Sequence, residues 1–159
     1  MNQTCNELFG YNLQELQLQI CQNNMKDASV MAVLPTGFGK TVTFVLPQLF
    51  SQNQKITIVI SPIKALVSEQ VDALNAKNLN AMNLKNVRYN GANFINTMRN
   101  YRFIYCCPES FVSKIEYIRI LVDSDLIGRF VVDEIHCLFD WVHFRPAYQS
   151  CLNFIVDEF

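Results

Sequence analysis

Four short runs of apolar, largely β-branched residues punctuate the chain, with helical periodicity between them. This alternation restricts the possible folds more than any other feature. The runs are residues 30–34 (VMAVL), 55–60 (KITIVI), 102–106 (RFIYC) and 129–132 (RFVV). Their length and continuous apolar character predict strands covered on both faces. Near the N-terminus, Leu13, Leu16 and Ile20 recur at helical spacing. Ile63, Leu66, Val67, Val71 and Leu74 do the same after Ser61 and Pro62, which read as an N-cap and first-turn pair. Residues 41–50 are apolar nearly throughout and predict a buried helix that Pro47 kinks or restarts. Strands alternating with helices predict an α/β fold with a mostly parallel sheet flanked by helices, in which ligands sit at the carboxyl ends of the strands.

Composition narrows the function classes. Hydrophobic residues make up 50% of the chain and charged residues 17%, which supports a packed core and argues against disorder. The net charge of −1 gives no global field for nucleic acid or an acidic membrane, so any such contact must be local. The six cysteines, Cys5, Cys21, Cys106, Cys107, Cys137 and Cys151, form no C-x-x-C pair and show no zinc spacing. They read as free, buried thiols of an intracellular, reducing compartment. Residues 1–12 are polar, unlike a secretory leader, and no run approaches the length of a membrane span.

Leu34, Pro35, Thr36, Gly37, Phe38, Gly39, Lys40 and Thr41 follow a predicted strand and open a predicted helix, the context a phosphate-binding loop requires. Gly37 and Gly39 allow the backbone to turn and approach phosphate without a Cβ clash. The exposed N–H groups and the helix N-terminus favour an anion. Lys40 is placed to reach the β- and γ-phosphates of ATP, and the Thr41 hydroxyl to bind Mg²⁺. The strict pattern begins with Gly where this chain has Leu34. The competing interpretation is an ordinary glycine turn with a surface lysine.

At the end of the fourth run stand Asp133 and Glu134, then Ile135 and His136. Alone, an Asp-Glu pair is a solvated turn. Together with a phosphate loop it suits a metal-assisted NTPase, with Asp133 on Mg²⁺ and Glu134 orienting and deprotonating the attacking water. His136 is a candidate link from the γ-phosphate to DNA-binding elements, or else a histidine satisfied by local hydrogen bonds.

Several segments, in order, resemble the RecQ family of superfamily 2 DNA helicases, and together they cover most of the chain. Phe9, Gly10 and Tyr11 resemble the opening of the family's adenine-recognition motif, and residues 35–41 its Walker A. Ser61, Pro62 and Ile63 through Gln70 and Val71 resemble motif Ia (SPLxSLMxDQV). Residues 105–110 (YCCPES) resemble Y-x-x-P-E-R, and residues 133–137 (DEIHC) the DEAHC box. Residues 138–148 (LFDWVHFRPAY) resemble the aromatic-rich loop SQWGHDFRPEY, the most specific match of the set. The resemblance implies a RecA-like ATP-binding lobe of a 3′-to-5′ DNA helicase that uses ATP and Mg²⁺ on single-stranded or forked DNA. It divides the chain into an adenine-recognition segment, 1–23, and the lobe itself, 24–159. It also implies an adenine contact from Gln17 or Gln19 beside Tyr11, with Gln17 favoured. DNA sensing falls to Trp141, His143, Phe144 and Arg145, and backbone contact to Ser61 and Lys64. Against this, Trp141 and Phe144 could simply pack in the lobe, Arg145 could pair with an acidic neighbour, and Ser61 could be a helix cap.

The chain departs from the family pattern in places. Ile135 replaces Ala and adds bulk beside the carboxylates. Val142 replaces Gly, and the aromatic-rich loop lacks one residue between His143 and Phe144. Glu15 and Leu18 stand where Arg and Gln are usual, and Ser110 where Arg is. The sequence stops before the motif III strand, so the lobe is expected to be incomplete at its C-terminus. A second RecA-like lobe with its arginine finger, worth about 10³–10⁵ in rate, then lies outside it. On that expectation the chain binds ATP–Mg²⁺ but hydrolyses it poorly, and localises to the nucleus in a eukaryote or otherwise to the cytoplasm. The alternative is a catalytically incomplete module that binds nucleotide and nucleic acid. A P-loop kinase or GTPase fits less well: the Asp-Glu pair argues against the first, and the lack of N-K-x-D against the second.

Overall fold

The computed structural model describes residues 1–26, 29–35, 37–52, 54–137 and 145–159. It divides into two compact units, Met1–Asn53 and Gln54–Phe159.

Among its described residues the first unit contains three helices and no strand: α1 (Asn2–Phe9), α2 (Glu15–Asn24) and α3 (Val42–Phe50). They close on Cys5, Leu13, Cys21, Val42 and Leu46. The α3 helix is as buried as its composition predicts, and it runs through Pro47 without a break. Proline has no N–H to give the carbonyl four residues back. That carbonyl, on Thr43, instead accepts a bond from Asn24 Nδ2 at 2.9 Å, with Cys21 Sγ at 3.8 Å. Two polar side chains of α2 thus offset the proline defect of α3 and tie the helices together.

The strand expected at residues 30–34 is not formed, and the segment is irregular. Met31 is 77% and Val33 86% exposed. A strand exists only through the ladder it shares with a neighbour, and no other strand is present among the described residues of this unit to supply one.

The second unit is built on a four-stranded sheet in the order β2-β3-β1-β4, with β1 Ile56–Ile60, β2 Ala81–Asn83, β3 Phe103–Cys106 and β4 Ile127–Val132. All three pairings are parallel, with Ile58 opposite both Ile104 and Phe130. The central strand β1 is buried at every position, as an uninterrupted ITIVI run on a two-sided sheet should be. Connecting elements are α4 (Lys64–Asn75), α5 (Phe94–Met98), α6 (Pro108–Ser113) and α7 (Ile115–Asp123), and α8 (Pro146–Glu158) follows near the end. Phe111, Ile118, Leu121, Cys151 and Phe154 come from these helices to pack with Ile56, Ile58, Ile60 and Ile104 in one core. The short edge strand β2 carries only AMN, too brief and polar to stand out in the sequence. The Asn75 side chain takes both the N–H (2.7 Å) and the C=O (3.0 Å) of Ala81, standing in for a further strand.

Three of the four predicted strands are therefore present, and the α/β, parallel-sheet expectation holds. Ser61 does not cap α4, however. The helix begins at Lys64, with Ile63 in the capping position. Ser61 instead continues the β1 ladder, its N–H bonded to Cys106 O at 2.9 Å, and its buried hydroxyl has no partner among the described residues.

Candidate active site

The phosphate loop belongs to the first unit, apart from Thr36, which lies outside the described residues. Gly37 and Gly39 have φ of +80° and +78°, the left-handed region that only glycine enters without strain. Phe38 N–H reaches back to Pro35 O at 3.2 Å and closes the turn. Thr43 donates to Lys40 O through its N–H (3.0 Å) and its hydroxyl (2.6 Å), and Val45 N–H donates to Thr41 O (3.1 Å). Lys40 and Thr41 therefore sit half-buried where α3 begins, at the positive end of its dipole. Leu34 and Pro35 lead into this turn without regular structure.

Gln17 is buried, and both ends of its amide are engaged. Its Oε1 accepts from Gln14 N–H at 2.8 Å, and its Nε2 donates to Phe38 O at 2.6 Å. The side chain thus joins the start of α2 to the phosphate loop. Gln19 is exposed and donates to Glu15 Oε1 at 3.1 Å. Of the two candidates, Gln17 is the one with a hydrogen bond to the loop among the described residues. A Cβ on Gly39 would lie 2.9 Å from Gln17 Nε2 and 2.9 Å from Tyr11 Oη. Gly39 is thus the position where backbone conformation and close approach both require glycine. Gly39→Ala is expected to cost the first unit about 1–2 kcal/mol, since an alanine must take a left-handed φ and push aside the Gln17 bond. Chemical denaturation of the variant measures this, and an unchanged midpoint would contradict it.

The acidic turn belongs to the second unit and lies at the carboxyl edge of the sheet. Asp133 N–H extends the β4 ladder to Ile60 O at 2.9 Å. Its Oδ1 then accepts Glu134 N–H at 3.0 Å. Glu134 has φ of +52°, an uncommon conformation for a non-glycine residue and one that gathers at functional sites. Its carboxylate lies 3.3 Å from His136 Nδ1. Cys137 N–H closes the turn onto Glu134 O at 2.9 Å, and its Sγ lies 3.7 Å from His136 Nε2. Ile135, the bulky departure, is 37% exposed, so the added carbons are partly accommodated in solvent.

Three residues outside the sequence-based candidates line this edge, and two of them, Tyr148 and Glu109, tie it together. Tyr148 of α8 is fully buried and donates its hydroxyl to Asp133 O at 3.0 Å. Burial, followed by the nearby Asp133 charge, raises the pKa of the Tyr105 phenol well above its ordinary value, and its hydroxyl has no partner among the described residues. Glu109, in the first turn of α6, receives Arg145 in a two-pronged pair: Nε to Oε1 at 2.5 Å and Nη2 to Oε2 at 2.9 Å. Arg145 Nη1 donates to Pro62 O at 2.7 Å. The hydrogen bond from Arg145 is the largest cause of a Glu109 pKa lowered to about 2. Tyr105, Glu109 and Tyr148 all lie within the motif-like segments YCCPES and FRPAY. The signal was present, but nothing in it separated a structural tie from a ligand contact.

Lys64 is exposed on the first turn of α4. Trp141, His143 and Phe144 lie outside the described residues. Among the described residues no group of three or more His, Cys, Asp or Glu is placed to hold a metal, and no helix is long and apolar enough to cross a membrane. The oxygens of Thr41 and Asp133 are of the hard donor type that Mg²⁺ takes.

Comparison with known proteins follows the same lines. The chain is 37% identical over 125 residues to the ATP-dependent DNA helicase RecQ of Bacillus subtilis, covering 74% of this chain and 20% of that protein. It is 31% identical over 155 residues to the probable ATP-dependent DNA helicase RecS of the same organism, covering 94% and 30%. To the ATP-dependent DNA helicase Q-like 4B of Arabidopsis thaliana it is 32% identical over 144 residues, covering 84% and 12%. The chain thus spans between 12% and 30% of the length of these relatives. Their names agree with the RecQ resemblance drawn from the motifs. The crystal structure of the DUF1998 helicase MrfA bound to DNA and AMPPNP superposes with a TM-score of 0.62 at 20% identity, over 84% of this chain and 20% of that one, which shows a shared fold. A model of the DEAD/DEAH box helicases matches residues 14–158, a span that takes in the phosphate loop and the acidic turn alike, and the chain accordingly belongs to the DEAD/DEAH box helicase family.

Proposed function

We propose that this chain is the ATP-binding lobe of a RecQ-like helicase that moves 3′ to 5′ on single-stranded or forked DNA inside the cell. In a eukaryote its place would be the nucleus. The observation that carries this reading is the phosphate loop: two left-handed glycines turning directly into the N-terminus of α3, with Lys40 and Thr41 at the junction. Backbone N–H groups and the helix dipole stabilise the phosphates there. Lys40 neutralises the β- and γ-oxygens, and Tyr11 and Gln17 border the loop beside the adenine. Thr41 and Asp133 are the residues that would hold Mg²⁺, which would supply Lewis-acid polarisation of the γ-phosphate. Glu134 orients and deprotonates water, and His136, hydrogen-bonding distance from Glu134, passes the state of the site toward DNA. Trp141, His143 and Phe144, with Lys64, are assigned to the DNA-facing set; Ser61, expected to contact the DNA backbone, is fully buried and is left out of it, and Arg145 braces its border through Glu109 and Pro62. A second RecA-like lobe completes the motor and supplies the arginine finger.

Isothermal titration of the chain with a non-hydrolysable ATP analogue and Mg²⁺ tests the reading. Saturable binding that weakens when Mg²⁺ is withdrawn is the expected result, and absence of binding removes the proposal. A second reading, a binding module without turnover, is favoured by Ile135 and by the residue missing between His143 and Phe144. DNA-stimulated ATPase with an added second lobe separates the two, because only the helicase reading expects stimulation.

A further inference from the structure

Although the chain carries a net charge of −1, residues 73–108 contain no carboxylate and five basic side chains, Lys77, Lys85, Arg88, Arg99 and Arg102. Two of these, Lys85 and Arg88, lie on the segment that leaves the carboxyl end of β2, and both are exposed. The strands are all parallel, so this segment shares the sheet edge on which Ser61, Glu109 and the acidic turn lie. With the order β2-β3-β1-β4 it stands three strand spacings, about 14 Å, from the end of β4.

Beside Arg88, Tyr89 is 53% exposed, yet its ring is held in place. It stacks on Tyr117 at 5.9 Å and 27°, and leans on Phe94 at 5.3 Å. Phe94 and Tyr117 are themselves 5.8 Å apart. Phe94 is buried, so the three rings form a cluster whose outermost member is presented to solvent. Lys114 completes it: Nζ lies 4.8 Å over the Tyr117 ring and donates to Val87 O at 2.8 Å. Among the described residues no carboxylate pairs with Lys85, Arg88 or Lys114. The nearest acidic residue along α7, Glu116, is bound by Arg119 at 2.9 Å.

An exposed aromatic ring already fixed by its neighbours loses little freedom when a flat partner stacks on it, and uncompensated cations around it attract a polyanion. These are the two components of single-strand recognition: a stacking face and a positive margin along the phosphates. A base paired within a duplex cannot offer its face to such a ring. We propose that Tyr89, backed by Phe94 and Tyr117 and flanked by Lys85, Arg88 and Lys114, is a stacking platform for a base of single-stranded DNA. The choice of DNA rests on the helicase reading above. The platform extends the DNA-facing edge to β2, away from the acidic turn.

The test is fluorescence anisotropy of a labelled oligothymidine with the 159-residue chain. Tyr89→Ala is expected to weaken DNA binding about tenfold, and Tyr89→Leu equally, because leucine can still pack on Phe94 and Tyr117 but offers no π face. Tyr89→Phe is expected to bind as the wild type does. Arg88→Ala is expected to reduce the slope of log affinity against log salt by about 0.7, the value for one lost single-strand phosphate contact. Affinity for the ATP analogue, measured on the same variants, is expected to be unchanged. Equal DNA affinity of Tyr89→Ala and wild type, or no DNA binding by the wild type, overturns the platform while leaving ATP binding to stand. Loss of ATP-analogue binding by the wild type overturns the helicase reading instead, whatever the DNA result.

Discussion

Lys40→Ala is expected to lower affinity for the Mg²⁺–ATP analogue by about 10- to 150-fold, the loss of one charge-assisted contact to phosphate, while the thermal transition moves by no more than about 2 °C. The separation of the two effects follows from how the residue is used. The carbonyl of Lys40 anchors the first turn of α3 through the N–H and hydroxyl of Thr43. Alanine keeps that carbonyl and lengthens no backbone bond. What is removed is an ammonium at the entrance to a helix whose N–H groups already favour an anion. Lys40→Arg restores the charge but spreads it over a planar fork with different reach, so only partial recovery of affinity is expected. Titration calorimetry measures the affinity and circular dichroism the transition. An alanine variant that binds the analogue as tightly as the wild type would leave the loop an ordinary glycine turn, and the ATP reading would lose its main support.

The backbone of the phosphate loop and of the acidic turn was legible because the sequence signals for both are local. The order of residues from Leu34 to Thr41 and the pair Asp133 and Glu134 carry their meaning in a few adjacent positions, and the left-handed glycines agree with it. The central strand β1 was equally legible, since burial on both faces requires an unbroken apolar run. Features set by distant partners were harder to read. Residues 30–34 have the composition of a strand, but composition cannot supply the neighbour that a ladder needs. Ser61 has the side chain of a cap, but the bond of its N–H to Cys106 O keeps it in the sheet and moves the helix start to Lys64. Gln17 was singled out for adenine, and its bond to Phe38 O makes it a brace for the phosphate loop, a role that sequence spacing does not reveal. Trp141, His143 and Phe144 lie outside the described residues, so their part in DNA binding rests on the resemblance.

The clearest long-range case is Arg145, whose partners stand 36 and 83 positions away. Its three nitrogens join the N-terminus of α8 to α6 and to the segment after β1, so its loss should loosen the carboxyl edge of the sheet. Arg145→Ala is expected to destabilise the second unit by about 2–3 kcal/mol. That lies below the cost of breaking a fully buried pair, because the Arg145 and Glu109 side chains are 20% and 41% exposed. Glu109→Gln keeps the shape and one acceptor oxygen and should cost about 1 kcal/mol after solvent screening. In a double-mutant cycle the two losses should not add, since both remove the same interaction. The pH dependence gives an independent check. Arg145 holds the Glu109 pKa at about 2, below its ordinary 4.5. A depressed carboxylate stabilises the fold above its unfolded pKa and loses that contribution as pH falls through the folded value. The stability gap between wild type and Glu109→Gln should therefore be constant above about pH 5 and shrink between about pH 4.5 and 2. Urea denaturation at a series of pH values measures it. Additive losses in the cycle, together with a gap that does not change on acidification, would mean that Arg145 acts through Pro62 alone. Glu109 would then be an exposed carboxylate with no part in bracing the edge.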